Sequence, residues 1–500
     1  MELKRIIKRI CALTLALLLL LPTLVMTGSA TAPDNGYCYV YDSHGTANQS
    51  PTPYETQYRI DVSDFGIGTL KAASSLFIQQ DHLYICDTGN NRVIQLSLSP
   101  NGAQLVRQIT GSADGNYMLS SPTDVFVTQE QELIIADSGN NRILRLDAQL
   151  NLLTEIQRPE DPTVDQTVPF KPNKLVVAAN HIYLQAQSVN KGLMEFTVDG
   201  DFVGYIGASP VKFNWEDYIW KVVSTDAQRE AMVAFVPTEY NNIALDSEGF
   251  LFVTNSVFSK QELTAGQAEP IRRLNLKGTN ILIENGNSAV IGDLTWDKDG
   301  PSKFVDVTVL DDGTYYALDS IRSRIFAYDN QGNMLYAFGG IGTKNGYFTT
   351  PVAIEHHGND LLVLDSSSGL VTVMTHTGFG ALVSQAIGDY SAGHYDSSMQ
   401  CWQQVLKYNG SYELAYRGIG KVLLRNGQYE EALEYLEYAK DEYYYSKAWK
   451  LYRKDWIEEN IVYIVVILVA AVAVMLIWKL VSYIKGKVEN YELWHSKAGQ

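Results

Sequence analysis

YICDTGNNRVIQL (residues 84–96) and IIADSGNNRILRL (residues 134–146) are two copies of one unit, in which a strand runs into an aspartate, turns through small polar residues and restarts as a second strand. The equivalent residues Asp87 and Asp137 are 50 positions apart, and a degenerate copy, YLQAQSVNKGLMEF (183–196), places Gln187 another 50 on. Insertions then stretch the period, with Asn255 in LFVTNSV, Asp319 in YYALDSIRSRIFAY and Asp365 in LLVLDSSSGLVTVM as the later heads. Six β-rich units at so long a period predict a mainly β repeat architecture, a six-bladed β-propeller.

The second copy shows how a blade is assembled. PTDVFV (122–127) and residues 132–136, 142–146 and 152–156 are four short runs separated by polar turns, the pattern of four antiparallel strands. Between the second and third, Asp137, Ser138, Gly139, Asn140 and Asn141 tolerate positive φ, as a tight reversal requires. Asp137 and Arg142 face each other across that turn. On an exposed hairpin such a pair adds only about 0 to 1 kcal/mol, so its expected role is register and turn shape. Because the motif recurs along the chain, Asp87, Asn91, Arg92, Asp137, Asn141, Arg142, Asp319 and Arg324 are read as structural, and no catalytic residue is assigned.

The passages between blades repeat as well. GSADGNYMLSSPTDV (111–125) matches GIGTKNGYFTTPVAI (340–354): glycines, an aromatic, then Pro122 or Pro351 opening the next inner strand. D-x-G-N-N-R-[VI] followed by this passage resembles the NHL repeat, a six-bladed propeller family, over about residues 72–388. Blades one, two and five fit; blade three has Gln187 and Gly192 where the Asp and Arg belong, and blade four is interrupted before Ile271, Arg272 and Arg273. Upstream strands at 37–41 and 54–62 are expected to pair with the last blade and close the ring, removing an exposed edge. Some relatives of this fold are lactone hydrolases that hold calcium, and one is a lyase that uses zinc and histidine. The resemblance therefore implies, as the alternative to a binding module, a metal-dependent hydrolase of the lactonase type. The residues give that alternative little support. No two of the eight histidines make a zinc pair at helical spacing, His356 and His357 on one strand point to opposite faces, and no G-x-S-x-G elbow occurs. No metal ligand is assigned and no cofactor is expected; calcium has no support beyond the analogy.

The departures from the repeat point to recognition. Between Gly207 and Asn242 lies SPVKFNWEDYIWKVVSTDAQREAMVAFVPTEY (209–240), whose Thr225 to Gln228 read as a capping box, predicting a helix of about two turns. Phe213, Trp215, Tyr218 and Trp220 stand among Glu216 and Asp217. Such rings stack on a sugar while neighbouring carboxylates accept its hydroxyls; the competing reading is that they fasten the insertion to its own blade. A long excursion from a rigid scaffold is a common place for binding, so these four are the candidate ligand residues.

The ends of the chain set its surroundings. Lys4, Arg5, Lys8 and Arg9 precede an apolar run from Cys11 to Leu21 and small residues at Gly28, Ser29 and Ala30, the layout of a secretory signal peptide cleaved after Ala30. An uncleaved anchor is the competing reading; the run is short and Pro22 interrupts it. IVYIVVILVAAVAVMLIW (461–478) carries no charge and at 1.5 Å per residue spans ~27 Å, enough for a transmembrane helix. Lys479, Lys485 and Lys487 follow it, which puts the C-terminus in the cytoplasm and the large N-terminal part outside the cell. The chain is at −17, and without residues 1–30 at −20, which argues against nucleic acid. Without residues 1–30 three of the four cysteines remain, Cys38, Cys86 and Cys401, which, odd in number and widely spaced, are no disulfide framework.

GKVLLRNGQYEEALEYLEYAKD (420–441) places Gly420, Gly427, Tyr429, Ala432, Leu436 and Ala439 at the spacing of a tetratricopeptide (TPR) repeat, and it resembles that family over one repeat with a weaker half before it. Small residues at Gly420, Ala432 and Ala439 would let paired helices approach. The expected organisation is a signal peptide (1–30), closing strands (31–71), the propeller (72–388), a TPR-like helical segment (389–458), a transmembrane helix (459–480) and a short cytoplasmic tail (481–500). The expected function is that of a single-pass membrane protein of bacterial type that binds a surface carbohydrate or a membrane-protein partner such as a transporter.

Overall fold

The computed structural model describes residues 37–100, 102–207, 240–258, 262–263, 268–286, 290–293 and 300–498, with side chains through residue 488. The chain divides into two compact units between Thr377 and Gly378.

In the first unit the predicted strand runs fold into six antiparallel sheets. Their first strands are Ser75–Gln79, Pro122–Val127, Pro172–Ala178, Tyr240–Leu245, Phe304–Val309 and Pro351–His357. These neighbour one another in that order and the sixth returns to the first, so the fold is a six-bladed β-propeller. Blade two contains Pro122–Val127, Leu133–Asp137, Arg142–Leu146 and Leu152–Ile156, within a residue of the expected runs. The second strands are apolar on both faces because each face meets a different blade. In His82–Asp87, Leu83 and Ile85 pack with Leu362, Leu364, Val371 and Val373 of blade six, while Tyr84 and Cys86 pack with Val125, Leu133 and Ile135 of blade two. Each such fully buried Leu or Ile contributes roughly 1.5–3 kcal/mol, so the inter-blade layers are the core.

Closure differs in part from expectation. Tyr54–Ile60 pairs with the last strand of blade six, Leu370–His376, from His376↔Tyr54 to Val371↔Ile60, as expected. Tyr39–Tyr41 does not join blade six. It adds to the outer strand of blade five through Tyr39↔Ala337 and forms a hairpin with Ala47–Gln49. Its tyrosines decide this: the Tyr39 and Tyr41 hydroxyls both donate to Asp293 Oδ1, at 2.5 and 2.7 Å. The last propeller strand ends at His376 and Gly378–Ser391 is helical, with Phe379, Val383, Ala386 and Ile387 buried at helical spacing inside the stretch expected to belong to the propeller.

The second unit continues with helices Tyr395–Tyr408, Glu413–Arg425, Tyr429–Tyr438 and Glu442–Ala498, each packed on the one before. A Cβ on Gly420 would lie 2.6 Å from Leu436 Cγ, so this glycine permits the close approach of two helices. Ala432 and Ala439 are buried, and Arg417 and Asp441 form a pair at 2.7 Å. The final helix has 57 residues, about 85 Å, and its apolar stretch, mean hydropathy 3.1, is long enough to cross a membrane.

Candidate functional site

The repeated aspartate is buried, which corrects the expectation of an exposed hairpin pair. Asp87 and Asp137 are 0% exposed. Asp87 accepts the Lys71 N–H on Oδ1 at 2.8 Å, and Asn90 Nδ2 and Arg92 Nε on Oδ2 at 2.8 and 2.7 Å. Asp137 repeats this with Ser120 N–H, Asn140 Nδ2 and Arg142 Nε. Asp319 accepts from Lys303 N–H and Asp365 from Thr349 N–H, so in blades one, two, five and six the carboxylate clamps the passage entering the blade to the hairpin inside it. The same contact explains the motif's glycine. A Cβ on Gly89 would sit 2.6 Å from the Lys71 carbonyl oxygen, while the positive φ falls instead on Asn91 and Asn141 (55° and 56°). Blade three keeps the backbone half of the clamp, Gln187 N–H to Lys171 O at 3.0 Å. In blade five Arg324 turns to Asp293 Oδ2 (3.0 Å) and the Tyr39 hydroxyl (3.3 Å), and Asp319 takes the Ser302 hydroxyl at 2.9 Å. These residues hold the ring together and present no chemistry to a ligand. The candidate ligand residues Phe213, Trp215, Tyr218 and Trp220 lie outside the described residues.

What the sequence reading passed over is the channel. One register position of each inner strand, Ser75, Asp124, Lys174, Asn242, Asp306 and Ala353, stands opposite the residue before the motif head of its blade; in blade three the register puts Ala186, opposite Pro172, at the head position, and not Gln187 as the sequence alignment expected. In five blades the ladder slips just before this residue, and the bulge aims its side chain inward. Two residues on, on the same face, are Phe77, Phe126, Val176, Ala244, Thr308 and Glu355. In four inner strands the third residue, D in PTD, K in PNK, N in YNN and D in FVD, is a polar signal visible in the sequence once the strands are aligned.

Neighbouring blades share these groups. Asp124 accepts the Ser75 hydroxyl on Oδ1 and the Leu175 N–H on Oδ2 at 2.8 Å. Asp306 accepts the Asn242 amide and the Val307 N–H on Oδ1, and the Ile354 N–H on Oδ2. Lys174 Nζ lies 3.3 Å from the Ser74 carbonyl and 3.8 Å from Asp124 Oδ1. Glu355 accepts from Thr308 Oγ1 at 3.2 Å and from the His356 N–H at 3.1 Å, and its side chain keeps 23% exposure, to the channel. Burial pushes the carboxyls of Asp124 and Asp306 up, the latter to about 6. Burial, then Asp306, pushes Glu355 up to about 8. Burial pulls Lys174 down, but Asp124 and Asp306 carry it above its ordinary value.

This donor set does not fit a metal. Each oxygen of Asp124 and Asp306 already accepts a hydrogen bond, and an ammonium stands beside them, where calcium would take 6–8 oxygens. Among the described residues no three His, Cys, Asp or Glu side chains gather as a metal site. Beyond the carboxylates the channel holds a cavity of about 670 Å³, walled by Phe77, Phe126 and Val176 and rimmed by Gln79 and Gln129.

No family model and no curated protein sequence matches the chain. Solved propellers do. Virginiamycin B lyase from Staphylococcus aureus is 11% identical, covering 64% of this chain and 99% of its own, with a TM-score of 0.38. A gluconolactonase from Xanthomonas campestris is 12% identical, covering 69% and 99%, also at 0.38. The calcium-binding protein regucalcin from Agrobacterium tumefaciens is 11% identical, covering 62% and 92%, at 0.36. At these identities and scores the likeness extends to no activity, metal or ligand of this chain.

Proposed function

We propose that this chain is a membrane-anchored extracytoplasmic binding protein, its propeller of NHL type and its helical segment TPR-like, which takes a surface carbohydrate into the mouth of the propeller channel. The observation that carries the reading is the division of labour in the channel. Asp124 and Asp306 are occupied by neighbouring strands, whereas the same cavity also offers a part-exposed ring, Phe77, and two amides, Gln79 and Gln129. Rings and amides without a free nucleophile suit a neutral polyhydroxylated ligand better than a reaction. The alternative, a metal-dependent hydrolase of the lactonase type, draws on the convergence of Asp124, Asp306 and Glu355, and meets the difficulty that every oxygen of Asp124 and Asp306 already accepts a hydrogen bond. Calorimetry of the full chain in detergent with oligosaccharides tests the reading: wild type binds, and the Gln79→Ala, Gln129→Ala double variant binds about 10-fold or more weakly, two hydrogen bonds at about 1 kcal/mol each. Hydrolysis of lactones that stops on chelation would replace it with the alternative.

A further inference from the structure

We propose that the channel carries an acid–base pair, Glu355 and His356, that opens and recloses the ring of a reducing sugar and so interconverts its two anomers. This rests on the carbohydrate reading of the channel and adds an activity to it. Both side chains line the channel cavity, and they are 23% and 27% exposed. They are neighbours on the inner strand of blade six, Pro351–His357, and leave it on opposite faces. The edge of that strand borders the channel, and their tips meet there, with His356 Nδ1 3.7 Å from Glu355 Oε2.

Thr308, on the inner strand of blade five, fixes which atoms are left over. Its hydroxyl donates to Glu355 Oε2 at 3.2 Å and, having one hydrogen, accepts from His356 Nδ1, 2.7 Å away. The imidazole therefore carries its hydrogen on Nδ1 and keeps a lone pair on Nε2. Glu355 Oε2 also takes the His356 N–H at 3.1 Å, so the carboxyl hydrogen falls to Oε1. Nε2 and Oε1 have no hydrogen-bond partner among the described residues, and neither is sealed from the cavity. One acceptor and one donor thus stand close together in a space of about 670 Å³.

The surroundings set the same roles. Burial, then Asp306, pushes Glu355 up to about 8, against the pull of Lys174. Burial, aided by His357, holds His356 below its ordinary value, against Asp311 and Asp312. Between the two values the carboxyl keeps its proton while the imidazole lacks one, which makes Glu355 the acid and His356 the base.

Ring opening needs one proton taken and one given, and no nucleophile. His356 Nε2 takes the proton of the anomeric hydroxyl, and the pair left on that oxygen forms the carbonyl. The bond from the anomeric carbon to the ring oxygen breaks, and its pair takes the proton of Glu355. The carbonyl end turns over, and the reverse transfers close the ring: the hydroxyl returns its proton to Glu355 as it attacks, and the imidazolium returns its own to the carbonyl oxygen. Both groups end as they began, and the sugar has changed only its anomeric configuration.

The test follows fresh single anomers of glucose, galactose and N-acetylglucosamine by polarimetry, with the full chain in a non-glycosidic detergent. Their methyl glycosides, which cannot open, are titrated by calorimetry. Wild type is expected to speed the interconversion of at least one sugar over the same amount of denatured chain. Glu355→Gln and His356→Gln should each lower the catalysed rate about 100-fold, the share of one general acid or base, and bind the methyl glycoside as wild type does, which reports an intact fold. Thr308 is a positioning residue: Thr308→Val should cost about 10-fold, one hydrogen bond's worth, and Thr308→Ser should restore the rate. Methyl glycosides that bind with no acceleration of the free sugar, or acceleration that Glu355→Gln and His356→Gln leave unchanged, would overturn the acid–base pair and leave the channel reading standing. Neither binding nor acceleration with any sugar would remove both.

Discussion

Glu355 shows how much one residue's surroundings can change its chemistry. Its carboxyl is pushed up to about 8 by burial and by Asp306, where the unfolded chain would release its proton near about 4.3. Between those values the native state holds a proton that the unfolded state lacks, so stability falls as pH rises through the window and levels off above it. Asp306, pushed up to about 6, contributes in the same direction over the lower part. His376, pulled down to about 4 by burial, acts in the opposite direction below about 6.5. The melting temperature should therefore decline most clearly from pH about 6.5 to about 8, and Glu355→Gln, a neutral isostere, should flatten that decline. Parallel melting profiles for the two proteins would show that Glu355 does not titrate in this range. The sequence carried no sign of this: an isolated Glu in PVAIEHH acquires its partners from blades three and five.

At the scale of elements, the buried clamp is the unit that repeats. Asp137 joins three segments at once, through the Ser120 amide, Asn140 and Arg142. Asp137→Asn keeps its shape and one acceptor and should destabilise the propeller by about 1–3 kcal/mol, the cost of hydrogen bonds to charged groups. Asp137→Ala leaves Arg142 and a buried amide short of a partner and should cost about 3–5 kcal/mol. Urea unfolding of the full chain measures both; equal, small effects would return the pair to the surface role that its hairpin position suggested. The motif and its period were legible because four of the six blades use the same carboxylate clamp, and the strands of blade two could be placed to a residue. The N-terminal strands were legible only in part. Tyr54–Ile60 follows the need to cover an edge, whereas Tyr39–Tyr41 follows two hydroxyls to Asp293, some 250 residues away, which no local pattern encodes.

At the scale of the whole molecule, the final helix is long and apolar enough to cross a membrane. Its apolar stretch has no buried surface within the chain, and about 18 uncharged residues match the hydrocarbon thickness of a bilayer. The full chain should stay with membranes through alkaline carbonate extraction, while a chain ending before residue 455 should be released; recovery of the full chain in the carbonate supernatant would count against the anchor. By itself, the sequence determined the repeat, the number of blades, the strand order within a blade and the apolar helix, because each is written in local periodicity and in turn chemistry that every blade must satisfy. The channel was decided only by the tertiary structure. Ser75, Asp124, Lys174, Asn242 and Asp306 are about 50 to 70 residues apart and individually unremarked, and it is closure of the ring that brings them to one axis, where exclusion of water strengthens the bonds that Asp124 and Asp306 make to the neighbouring blades.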